Sequence, residues 1–142
     1  MTDLSKPDAL DTQIGGDHYR RWGCQPFEFA MVNGLNPAQT KIIKYVMRHD
    51  AKGGAEDIRK AIHVCNLWIT LYAALPNCAD RLYRARQGNA LDAFCRRNPA
   101  LGARELDIVA LAFSAVERAD IVPVLYALTD LLRSAYPAWA SL

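Results

Sequence analysis

Apolar side chains recur along this chain at intervals of three and four residues, and no stretch alternates with period two over a convincing length, so the expected fold is all-α. Ile42, Ile43, Val46 and Met47 mark the inner face of one helix. Asn36 can cap its free backbone N–H groups and Pro37 suits the first helical position, so this helix should run from there through Arg48. Lys52-Gly53-Gly54 then breaks it. The next helix opens with Glu56 and Asp57, where the helix dipole favours negative charge. It carries Ile58, Ile62, Cys65, Trp68, Ile69, Tyr72 and Leu75 on one broad stripe until Pro76-Asn77 ends it. The two are expected to pair as a central antiparallel helical hairpin.

Upstream, Gly15-Gly16 marks a turn, and Gln25-Pro26 opens a short helix that Asn33-Gly34 closes. Downstream, short helices are expected around residues 79–86 and from about Asn89 to Arg97. A longer one should span Ala103 to Ala119, with Leu106, Val109, Phe113 and Val116 inside. A last one, from about Val122 to Ala135, carries Val124, Leu125, Leu128, Leu131 and Leu132 before Pro137. The expected organisation is a flexible tail over residues 1–12, a module over 13–76 and a C-terminal helical extension over 77–142. Together these make a compact helical domain with an appended C-terminal helical pair.

The composition fits an ordinary globular chain. In 142 residues, 51% are hydrophobic and 23% charged, enough apolar material for one core and too much for disorder. The net charge of +2 is too small to argue for nucleic acid, and the arginines at 81, 84, 86, 96 and 97 read as solvated surface. Cys24, Cys65, Cys78 and Cys95 form no C-x-x-C pair and no zinc-like Cys/His spacing, so no metal site and no disulfide framework is expected. With a polar N-terminus and no long apolar run, the chain is expected to be cytoplasmic, neither exported nor membrane-inserted.

No P-loop, dinucleotide fingerprint or H-E-x-x-H motif is present, so any phosphate chemistry must come from helix-borne side chains. Lys41, Lys44 and Arg48 advance by three and four residues and share a stripe on which cations can converge on an anion. Glu56, Lys60 and His63 share a face across the Gly53-Gly54 turn, which is expected to expose backbone donors beside them. His18 follows the flexible Gly15-Gly16 turn and is the first candidate for an imidazole that handles a proton or contacts phosphate. Tyr19, next to it, has a ring suited to stacking on a base. His49 and His63 are equally well explained as helix-face residues.

These residues form an ordered set: Ile14-Gly15-Gly16-Asp17-His18-Tyr19, Gln25-Pro26-Phe27-Glu28-Phe29, Ile43-Lys44-Tyr45-Val46-x-Arg48, and Lys52-Gly53-Gly54-x-Glu56-Asp57-x-x-Lys60-Ala61. The set resembles a family of small phage proteins, a domain of unknown function whose members are often named nucleotide kinases. That name comes from similarity to the nucleotide kinase of a lytic podophage, which phosphorylates deoxynucleoside monophosphates. The likeness covers roughly residues 13–75. It implies a nucleotide-handling protein with ATP as phosphate donor, in which His18, Lys44 and Arg48 are the catalytic candidates. Gly15, Gly16, Tyr19, Gln25, Tyr45, Gly54, Asp57 and Lys60 are the substrate-binding ones.

Two other functions compete. Glu117-x-x-Asp120 matches half of the magnesium-binding pattern of all-α nucleoside triphosphate pyrophosphohydrolases, although the partner E-x-x-E is missing. The alternative is non-enzymatic: a phage inhibitor that binds a host or defence protein through its C-terminal helices, or a homo-oligomer built on the same surface.

Overall fold

The computed structural model describes residues 22–72 and 90–139. Gly15, Gly16, His18, Tyr19, Cys78, the arginines at 81, 84 and 86, the tail over 1–12 and the short helix expected around 79–86 lie outside the described residues. Within them the chain is all-α. The helices are α1 (Pro26–Asn33), α2 (Pro37–Arg48), α3 (Ala55–Tyr72), α4 (Ala90–Arg97), α5 (Ala103–Ser114) and α6 (Arg118–Ala135), followed by a 3-10 turn over Pro137–Trp139.

Helix α2 starts as its sequence dictates. The Asn36 side chain accepts the Gln39 N–H at 2.7 Å, and the Gln39 side chain accepts the Asn36 N–H at 2.9 Å, a reciprocal cap with Pro37 just inside it. Its stripe of Ile42, Ile43, Val46 and Met47 is fully buried. Residues 49–54 connect it to α3, and the two helices pack against each other. Ile58, Ala61 and Cys65 of α3 enter the core, while Ile62, Trp68, Ile69 and Tyr72 pack at its margin.

The C-terminal helices pack against each other and back onto this pair, α6 against α3 and α5 against α2. Ile108, Val109, Ala112 and Phe113 of α5, with Ile121, Val124, Leu128, Leu131 and Leu132 of α6, share one continuous core with α2 and α3. The side-chain amide of buried Gln39 also donates to the Ala112 carbonyl at 2.8 Å, tying the start of α2 to the last turn of α5. Further out, Asn98 exchanges two hydrogen bonds with the backbone of Cys24, at 3.0 and 3.1 Å, which fastens the approach to α1 onto the end of α4.

Two boundaries differ from the sequence expectation, the end of α5 and the start of α6, the latter expected at about Val122. The helix expected to run to Ala119 ends at Ser114, because Ala115 is extended (φ −69°, ψ 124°) and the Asp120 carboxylate accepts the N–H groups of Val116 and Glu117, both at 3.0 Å. The Asp120 side chain starts a new helix instead, and α6 begins at Arg118, with Pro123 inside its second turn. The same contacts hold the Asp120 carboxyl below the ordinary carboxylate range, since an ionised acceptor is the form those two N–H groups favour.

Candidate functional site

The connection between α2 and α3 is closed by its own polar groups. Arg48, in the last turn of α2, donates from Nε and Nη2 to the two carboxylate oxygens of Asp57, both at 3.0 Å, a fork geometry that holds the ends of the two helices together. Asp57 is 1% exposed. Its carboxylate also accepts the Gly53 N–H at 3.1 Å, and a Cβ at Gly53 would collide with it, so only glycine lets the backbone come this close. Gly54 has φ 58°, a left-handed conformation that costs glycine little, and donates to the His49 carbonyl at 2.7 Å. Ala51 and Lys52 donate to the Arg48 carbonyl. The amides of residues 51–54 are therefore used within the bend, and the expected display of free backbone donors is not found. The reason is chemical: the bend brings two carbonyls and a carboxylate within reach of the same N–H groups.

His49, which follows α2, is 5% exposed and bridges two distant segments. Its Nε2 lies 2.9 Å from Oε1 of Glu105 in the first turn of α5, and its Nδ1 lies 2.7 Å from the hydroxyl of Tyr136 after α6. A carboxylate only accepts, so Nε2 carries hydrogen, and in the neutral ring Nδ1 then accepts from Tyr136. Burial first, then the charges of Asp50, Asp57 and Glu105, push the Tyr136 phenol above its ordinary range, so it keeps its proton. Nothing near His49 in sequence points to this trio. Glu105 is 56 residues away and Tyr136 is 87.

The outer face of α2 is different. The Lys44 ammonium and the Arg48 guanidinium each lie 5.0 Å from the centroid of the Tyr45 ring, which is half-buried against the core. Lys44 is half-buried, and among the described residues it forms no ion pair. Its pKa is lowered, chiefly by desolvation and then by the positive charges of Arg48 and Lys41; Asp57 opposes the shift and Lys60, on α3, adds to it. Lys41 is exposed, and Lys60 is an exposed residue paired loosely with Glu56 at 3.8 Å.

Of the sequence candidates, Lys44, Tyr45, Arg48, Asp57 and Lys60 thus fall in one electrostatic neighbourhood, with Gly54 in the bend beside it. Gln25 is the backbone N-cap of α1. His63 is exposed on α3. Glu117 and Asp120 meet as the start of α6. Burial pushes the thiols of Cys24 and Cys65 up to about 12 and about 11, which leaves both inert near neutral pH. No helix among the described residues is long and apolar enough to cross a membrane. Comparison of the chain with protein-family models, with curated proteins and with solved structures gives no match.

Proposed function

We propose that the protein binds nucleotides by their phosphates on the outer face of α2, with Lys44, Lys41 and Lys60 supplying the charge and Tyr45 the aromatic surface. The carrying observation is the partly desolvated Lys44 ammonium beside Tyr45, which forms no ion pair among the described residues and lies in the field of Lys41, Arg48 and Lys60. An anion placed there relieves the repulsion that the neighbouring cations exert on the Lys44 ammonium. Arg48 is matched by Asp57 and acts as a positioning group that holds α2 against α3. The chemistry in this reading is transfer of a phosphoryl group from ATP to a deoxynucleoside monophosphate, catalysed by charge stabilisation and positioning, in the bacterial cytoplasm during phage infection. The family likeness over residues 13–75 supports that direction.

Thermal melting in the presence of nucleoside mono-, di- and triphosphates tests the binding, since a ligand specific to the native state raises its melting temperature with occupancy. A rise is expected in the native protein and its loss in Lys44→Ala. No rise with any nucleotide, or an undiminished one in the variant, would sink the proposal. Turnover of deoxynucleoside monophosphate with ATP and magnesium then tests the transfer itself.

A second reading, an inhibitor of a host or defence protein, is favoured by exposed apolar side chains. Phe27, Met31 and Val32 of α1 are 66%, 68% and 74% exposed, and Tyr126 of α6 is 66% exposed, while the leucines at 128, 131 and 132 turn inward. Co-purification of a host protein that is lost on Tyr126→Ser, with no nucleotide turnover, is its signature.

A further inference from the structure

We propose that Tyr136 is a reversible hydrogen-bond partner that lets the buried His49 ring take up a proton without releasing the end of α6, so that the α2–α3 bend and the C-terminal segment stay clasped in both charge states of the ring. This latch is independent of the nucleotide-binding face proposed above.

The distances within the trio set the problem. In the neutral ring, Nε2–H is given to Glu105 Oε1 at 2.9 Å, and Nδ1 accepts the Tyr136 hydroxyl at 2.7 Å. A proton added to the ring goes to Nδ1, the nitrogen without one, and turns that acceptor into a donor. The ring is buried, so the new N–H depends on whatever already stands opposite it. A donor-only partner such as a backbone N–H or an ammonium would leave two hydrogens facing each other. A hydroxyl avoids this, because its oxygen both donates and accepts. Its hydrogen also has a second acceptor in reach, since the same oxygen lies 3.4 Å from the His49 carbonyl. That carbonyl accepts the Gly54 N–H at 2.7 Å and keeps a second lone pair for the hydroxyl. Rotation about the phenol C–O bond therefore replaces O–H···Nδ1 by Nδ1–H···O together with O–H···O=C, and no heavy atom has to move.

The charges around the ring suit a cation. Glu105 faces it from α5, and Asp50 of the connection and Asp57 of α3 act with Glu105 on the Tyr136 hydroxyl. The cations on these elements are engaged elsewhere or exposed. Arg48 is held by Asp57, Lys60 pairs loosely with Glu56, Arg104 of α5 meets Ser134, and Lys52 and Arg133 are exposed. Arg59 of α3 stacks over Trp139, 4.2 Å from the ring centroid, which gives the C-terminal segment a second anchor on the hairpin. The hydroxyl thus reverses within a segment that is already held in place.

The test compares the full native chain with Tyr136→Phe by urea unfolding from about pH 8 to about pH 5, the span over which imidazole ordinarily changes charge. In the variant a protonated ring has a buried Nδ1–H without its acceptor, so the folded variant holds that proton less well than its unfolded chain does, and its stability falls as pH falls. The unfolding constant of the variant relative to native is expected to rise about tenfold from the alkaline to the acid end. Adding Tyr136→Phe to His49→Gln should show no such rise. A gap that is constant with pH overturns the proposal, since a merely structural hydroxyl would cost the same throughout. Ring-nitrogen NMR of the native chain decides independently of any variant. At the alkaline end only Nε2 of His49 should carry hydrogen, and at the acid end both nitrogens should, with the Gly54 and Tyr136 amide signals still in their folded positions. A folded ring that stays neutral at the acid end, or loss of the folded Tyr136 signal as the ring gains its proton, refutes the latch.

Discussion

The bend between α2 and α3 and the outer face of α2 draw on similar charged side chains, separated by about one helical turn, yet one is closed on itself and the other is open. In the bend, Arg48 meets Asp57, Gly53 meets Asp57, and His49 meets both Glu105 and Tyr136, with each link at hydrogen-bond distance. On the outer face, Lys44 and Lys41 have no such partners among the described residues, and Lys60 has only a loose one. Buried charge survives in a fold only when matched, because desolvation is costly; half-exposed charge of one sign persists without a match and remains available to a ligand. Polar residues in the bend are thus architecture, and those on the face are candidates for function.

The largest effect that would break this contrast is at Asp57. Asp57→Ala leaves Arg48 and the Gly53 N–H without their acceptor in a buried setting and is expected to cost about 3–5 kcal/mol, measured by urea unfolding. A near-native midpoint would mean that the bend is not the fold's polar lock. Next comes Tyr136→Phe, which removes the hydroxyl from the buried His49 ring and should cost about 1–3 kcal/mol.

Asp120→Ala sharpens the contrast from a third position, since this exposed carboxylate acts only as a helix start. Its loss should cost about 1 kcal/mol. The folded-state pKa is lowered, so the native contribution is complete above the ordinary value of 3.8 and disappears as pH falls through the lower folded value. The gap between native and variant melting should therefore close only in strong acid. The smallest stability effect belongs to Lys44→Ala, within about 0.5 kcal/mol, because no partner is stranded. A clear destabilisation there would show that the outer face is also architecture.

Much of the fold was legible from periodicity. The stripe of α2 and its Asn36-Pro37 start, the acids opening α3, and the inward leucines of α6 are local consequences of helix geometry and capping. The end of α5 was not, because the apolar spacing runs on through Val116 and only the Asp120 carboxylate, folding back on the preceding N–H groups, interrupts it. The cationic stripe of Lys41, Lys44 and Arg48 was equally legible, but its division was hidden. Three-and-four spacing says that these side chains share a face, and it is silent about Asp57 capturing one of them.

By itself, the sequence determined most of the helical segments among the described residues, where several of them start, and that positive charge collects on one side of α2, since each of these depends on neighbours within a turn or two. Only the tertiary structure decided that Arg48 is matched while Lys44 is left open, that the glycine bend consumes its own amides, and that His49 lies buried between Glu105 and Tyr136. Arg48 and the bend amides find their partners where α2 meets α3, and His49 finds its own only once α5 and α6 pack against them; such meetings in space leave no trace in local spacing.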